Sequence, residues 1–136
     1  MSISPRNLWP EDIAVTDAVA PVSLLKEQAS LLGDRTKNLV EGRVTPGVGK
    51  SVALMLEGGF TYDFDIVAPA LNNYRYRLFS VSHGVEFYPL VIDAPPFSVA
   101  ELHVENEEEF LKTLEAIFSS DKTKRIISSL IAQSTS

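Results

Sequence analysis

Residues 60–93 read FTYDFDIVAPALNNYRYRLFSVSHGVEFYPLVID, and of the 7 Phe and 4 Tyr residues in the chain only Phe97, Phe110 and Phe118 lie outside them. Aromatic side chains are enriched on pleated, half-buried surfaces, so this stretch is expected to form three consecutive antiparallel strands. The first ends near Ala68, where Ala68-Pro69-Ala70-Leu71-Asn72-Asn73 has turn composition. The second runs from Tyr74 to Val81, and Ser82-His83-Gly84-Val85 supplies the next connection. The third covers Glu86–Ile92 and is closed by Pro95-Pro96. Because Pro89 has no N–H for a ladder, that strand is expected at an edge of the sheet or with a bulge at Pro89.

Asp63 and Asp65 share one face of the first strand, and Arg75 and Arg77 share one face of the second, because side chains alternate along a strand. Setting Asp65 opposite Arg75 and Asp63 opposite Arg77 also stacks Tyr62 on Leu78, Phe64 on Tyr76 and Ile66 on Tyr74. Ion pairs then occupy one face and apolar pairs the other. This cross-strand register is expected in preference to a metal site or an acid–base pair built on the two carboxylates.

Upstream, residues 1–20 contain Pro5, Pro10 and the lone Trp9 without any sustained period, which predicts an irregular arm with Trp9 as its anchor. Pro21 suits the first turn of a helix whose apolar positions Val22, Leu25, Ala29, Leu32, Thr36 and Leu39 recur at steps of three and four. Gly33 weakens that helix and is a possible early end. Extended structure is expected from Leu39 to Arg43, a hairpin turn at Thr45–Gly49, and a strand from about Ser51 that is broken by Gly58-Gly59. Downstream, Asn106 is a helix cap followed by Glu107, Glu108 and Glu109 in the first turn, with Phe110, Leu114, Ile117 and Phe118 as one stripe. Ser120 or Asp121 starts a last helix carrying Ile126, Ile127, Leu130 and Ile131. The fold class is therefore α+β: an N-terminal helix, an antiparallel meander of about four strands, and two C-terminal helices packed on the sheet, all within one domain spanning 1–136.

Composition narrows the function. A net charge of −6 argues against nucleic acid or an anionic membrane surface as the main partner. The absence of cysteine removes disulfides, thiolate metal sites and cysteine nucleophiles. No apolar run approaches the roughly 20 residues that span a bilayer, and Glu11, Asp12 and Asp17 interrupt any signal-like segment, so a cytoplasmic location is expected.

The motifs are weaker than they look. Gly47-Val48-Gly49-Lys50-Ser51 ends like a phosphate-binding loop, but Val44 stands where its first glycine belongs and Val52–Leu56 reads as strand instead of helix. His83 and His103 have no ligand-spaced partners, and Ser80 and Ser82 beside His83 do not by proximity make a triad. Lys122, Lys124 and Arg125 are too few for a nucleic-acid patch, and no cofactor is expected.

Nothing converges on catalysis. The expectation is a small, acidic, non-enzymatic interaction protein (an accessory, adaptor or chaperone-like factor) that binds a protein partner or itself as a homodimer. The surfaces expected for self-association are the strand Glu86–Ile92 and the outer side of the helix Pro21–Leu39. The alternative is a small-molecule binding protein or enzyme with a pocket between sheet and helices, lined by Asp63, Asp65, Tyr74, Arg75, Tyr76 and Arg77.

Overall fold

The computed structural model describes residues 6–13, 16–47 and 58–136. A helix α1 (Pro21–Arg35) leads into strands β1 (Glu41–Pro46), β2 (Phe60–Ala68), β3 (Tyr74–His83), β4 (Leu90–Asp93) and β5 (Leu102–Val104). Helices α2 (Glu107–Phe118) and α3 (Asp121–Ser134) follow. The strands pair antiparallel in sequence order, β1-β2-β3-β4-β5, which is the expected meander with a fifth short strand added. No described helix is long and apolar enough to cross a membrane.

Pleating divides the sheet into two faces. Gly42, Phe64, Ile66, Leu78, Phe79, Val81, Leu90, Ile92 and Val104 point one way, and the three described helices lie on that side. α1 meets β1 where Ala29 sits over Gly42. Phe118 of α2 packs against Phe64 and Phe79, with ring centroids 5.3 and 6.0 Å away. Leu130 of α3 joins the same buried cluster.

The register of β2 on β3 differs from the expected one. Asp65 stands opposite Arg77, Ile66 opposite Tyr76 and Ala68 opposite Tyr74, a slide of two residues. The turn is tighter than the expected pairing allowed for. A single 3-10 turn at Pro69–Leu71 is followed by Asn72 and Asn73 in the left-handed region (φ 59° and 57°), so the ladder already closes at Ala68. Asparagine tolerates that region through local side-chain hydrogen bonding. A two-residue slide preserves which side chains share a face, so the apolar and polar sets survive it.

A second irregularity does not preserve them. Between Asp65↔Arg77 and Phe64↔Phe79 the ladder skips Leu78, an extra residue on β3. Leu78 and Phe79 are therefore consecutive and both buried on the helical face, whereas Arg75, Arg77, Ser80 and Ser82 share the opposite one.

The strand expected at Glu86–Ile92 is corrected on two counts. Only Leu90–Asp93 is strand, and it is interior, paired with β3 on one side and β5 on the other. Pro89 falls just outside the ladder, so its missing N–H costs no sheet hydrogen bond. The edges among the described residues are β1 and β5.

α1 also stops earlier than its apolar period. It ends at Arg35, and the Thr36 hydroxyl accepts from the Val40 N–H (3.2 Å) and donates to the Val40 carbonyl (2.6 Å), turning the chain into β1. The C-terminal caps are as expected. Asn106 Oδ1 accepts from Glu109 N (2.9 Å), and Ser120 Oγ accepts from Thr123 N (3.2 Å). The strand start expected near Ser51 lies outside the described residues.

Candidate functional site

The six residues expected to line one pocket divide between the two faces of the sheet. Asp63, Asp65, Arg75 and Arg77 come together on the face opposite the described helices, while Tyr74 and Tyr76 lie on the helical face against α3. Alternation along β3 enforces the split, since residues 74 and 76 are out of phase with 75 and 77.

The charged group is a compact network. Arg77 reaches both acids, with Nη2 2.9 Å from Asp63 Oδ2 and Nε 3.4 Å from Asp65 Oδ1. Arg75 Nη1 lies 3.6 Å from Asp65 Oδ2, an atom that is buried without a hydrogen bond among the described residues. Ser80 Oγ donates to Asp63 Oδ1 at 2.6 Å. Both expected ion pairs form despite the slide in register, because arginine side chains span the diagonal between neighbouring rungs.

Asp65 is fully buried and Asp63 is 5% exposed, while the guanidinium groups remain half in solvent. Among the described residues two acids face two bases, so their charges balance and each carboxylate is engaged with an arginine. Among the described residues no three His, Asp or Glu side chains converge as metal ligands. Gly47 packs against this network so closely that a side chain there would collide with the Asp63 carboxylate. The rest of the Gly-Lys-Ser stretch lies outside the described residues.

Among the described residues neither histidine hydrogen-bonds a serine or threonine hydroxyl. His83 is the last residue of β3, 4% exposed, and its Nδ1–H donates to the Gly84 carbonyl at 2.7 Å. Its ring sits among Phe60, Tyr62 and Phe87, with centroids 5.6 to 6.1 Å away. Ser80 and Ser82 point to the opposite face, where Ser82 bonds Thr61 (2.9 Å) and Ser80 bonds Asp63. A Ser-His pair across the sheet is therefore ruled out by geometry. His103 is exposed on β5.

A wider concavity than the charged patch lies elsewhere. Between α1 and the α2–α3 pair, the helical face opens into a cavity of about 1050 Å³. Phe64, Ile66 and Leu78 form its floor, Leu31 and Leu32 one wall, and Leu111, Leu114, Phe118 and Ile127 the other. Leu31 and Leu111 stand half-exposed on the two lips. Arg35, Lys124, Asp34 and Glu115 form a polar rim.

The helix stripes read from the sequence missed both lip residues. The doublets Leu31-Leu32 and Phe110-Leu111 are the signal that these apolar faces are wider than one packed stripe needs. A smaller cleft of about 560 Å³ holds Tyr74 and Tyr76 with Leu71, Lys122, Arg125 and Ile126.

One further buried group stands near α2. The Tyr88 hydroxyl has no hydrogen-bond partner among the described residues, and its ring meets Phe110 at 6.4 Å. Burial raises its pKa above the ordinary tyrosine value of 10.0, and the negative charge of Glu107 adds to the rise.

Comparison with protein-family models, curated proteins and solved structures gives no match. The functional reading accordingly rests on the geometry above.

Proposed function

We propose that this protein is a non-catalytic interaction module whose groove between α1 and the α2–α3 pair receives an apolar segment of a protein partner. The observation that carries the reading is the groove itself: a floor of core side chains, two apolar walls, and half-exposed leucines on both lips. A lone exposed leucine needs no explanation, but apolar side chains gathered around one concavity mark binding surfaces. An amphipathic helix about 10 Å across, inserting anchors at i, i+3 or i+4 and i+7, is the partner element that such a trough suits. The charged network on the other face supports the same conclusion by its neutrality, since its acids are engaged with arginines and offer no free base or nucleophile.

The test is a photo-crosslinking amino acid placed at Leu111 in the full chain, with a second version carrying it at Arg75 on the opposite face, both expressed in the native cell. The reading expects a discrete protein adduct from position 111 that Leu31→Glu abolishes. Adducts from position 75 alone would move the interface to the other face of the sheet.

A small-molecule reading is favoured by one observation. Lys122 and Arg125 have no carboxylate within ion-pair distance among the described residues, and both border the cleft that holds Tyr74 and Tyr76. An anionic ligand with an apolar or aromatic body fits that lining. Calorimetric titration with aryl carboxylates and phosphates tests it.

A further inference from the structure

The chain carries an apolar groove and, separately, an apolar segment with nowhere to go. In the N-terminal arm Leu8, Trp9 and Ile13 are 83%, 71% and 59% exposed. The segment is locally structured: Trp9 N–H donates to Asn7 Oδ1 (3.1 Å), and Ile13 N–H donates to the Pro10 carbonyl (3.3 Å). Two consecutive turns thus present three large side chains to water from a short piece of backbone that already has a shape. Ordering lost before binding is ordering that binding need not supply.

None of residues 6–13 lines the groove of its own chain. The arm enters α1 through Ala20 in an extended conformation, whereas the groove is bordered by the other end of α1, from Gln28 to Arg35.

We propose that the groove is occupied by the arm of a second copy of this chain, the Leu8–Ile13 segments of two protomers exchanging reciprocally about a two-fold axis. The proposal rests on the reading that the groove takes an apolar protein segment, and names the segment. Charge supports the match. Glu11 and Asp12 of the arm answer Arg35 and Lys124 on the rim, neither of which has an ion pair among the described residues, and Arg6 answers Asp34 or Glu115. Reach supports it too. From Ile13 to Pro21 the chain spans up to about 28 Å when extended, enough to cross to a neighbour packed beside α1. Reciprocal exchange of identical elements closes as a dimer and leaves neither arm nor groove unmatched.

Trp9 is the only tryptophan, so its fluorescence reports the event directly. The experiment follows Trp9 emission of the full chain from nanomolar to high micromolar concentration, alongside light scattering. The expected result is a blue shift that develops with concentration in step with a doubling of mass. Leu111→Glu, at an exposed lip where the fold tolerates charge, keeps the chain monomeric and the emission water-like. Trp9→Ala weakens the dimer on the order of tenfold or more, as loss of a buried aromatic anchor does.

Water-like emission at every concentration overturns the proposal. So does a dimer whose affinity ignores Trp9→Ala, or a blue shift in a chain that stays monomeric, which would mean docking in its own groove. The groove reading is separable. In Trp9→Ala the crosslinker at position 111 still captures a protein partner if only the arm exchange is wrong, and captures none if the groove is not a binding surface at all.

Discussion

α1 rests on β1 at a point where no side chain fits. A methyl group added at Gly42 would stand 2.6 Å from Ala29 Cα, 2.8 Å from Ala29 Cβ and 3.1 Å from Phe64 Cζ. Carbon atoms pack at about 3.5–4.0 Å, so Gly42→Ala forces α1 and β1 apart by about 1 Å. No rotamer absorbs the clash. One of the atoms struck is helix backbone, another is a Cβ fixed to it, and the Phe64 ring is stacked on Phe79 at 5.1 Å. Overpacking of this kind costs about 1–3 kcal/mol. Against it, replacing glycine within a strand returns about 0.5–1 kcal/mol by restricting the unfolded chain.

The steric term wins, and the expected net loss is about 1–2 kcal/mol, or a fall in Tm of roughly 3–8 °C for a chain of this size. Urea unfolding followed by far-UV circular dichroism measures it. Gly84→Ala is the control: nothing lies within 4 Å of a Cβ there, and that variant should be neutral or slightly more stable. Because α1 carries the Leu31–Leu32 wall, Gly42→Ala should also weaken groove binding without touching a groove residue. A Gly42→Ala protein as stable as Gly84→Ala would refute the close seating of α1 and the groove geometry that depends on it.

Three other outcomes are expected. Arg77→Ala removes the one cation among the described residues that reaches both Asp63 and Asp65, and leaving two buried acids short of a partner should cost about 1–3 kcal/mol, reduced from the value for a fully buried pair because water reaches the guanidinium. Arg77→Lys should recover little, since a single ammonium does not offer two donors in a fork; full recovery in urea unfolding would show that only net charge matters. Leu31→Glu, on an exposed lip, should leave stability within about 0.5 kcal/mol and abolish the groove adduct. Tyr88→Phe should stabilise by up to about 1 kcal/mol, because it deletes a buried hydroxyl that has no partner. The raised pKa of Tyr88 makes the folded chain hold that proton more tightly than the unfolded chain. Stability from this source is thus complete below pH 10 and is lost as pH rises beyond it. The Tyr88→Phe protein should lose less stability there, and identical alkaline slopes for the two proteins would count against the assignment.

What the sequence disclosed and what it hid follow from the range of the interactions concerned. Helix caps are decided within four residues, and Asn106 and Ser120 are both where local chemistry puts them. The Asp63/Asp65 and Arg75/Arg77 pairs could be matched because i, i+2 spacing is a property of any strand. Their rung could not, because it depends on how tightly Pro69–Asn73 turns. The extra residue at Leu78 was hidden for the same reason. It is a fault in pairing between two strands, and Leu78-Phe79 looks in sequence like any apolar doublet.

Alternation itself divides the six residues grouped for one pocket. Tyr74 and Tyr76 were grouped with Arg75 and Arg77 by proximity along the chain, but a strand sends neighbours to opposite faces, so a contiguous run of chemically interesting residues in a strand cannot line one cleft. The groove was illegible for the opposite reason. It exists because α1 settles on β1 while α2 and α3 pack against strands further along the sheet, leaving the core side chains of Phe64, Ile66 and Leu78 at the base of the gap. A gap between helices leaves only an indirect trace in any one segment: Leu31 beside Leu32 and Leu111 beside Phe110, each one apolar residue more than its own stripe requires. Surplus apolar residues on helices flanking a sheet are therefore worth reading as the two lips of one groove, and Leu8, Trp9 and Ile13 as a surplus of the same kind on the segment proposed to fill it.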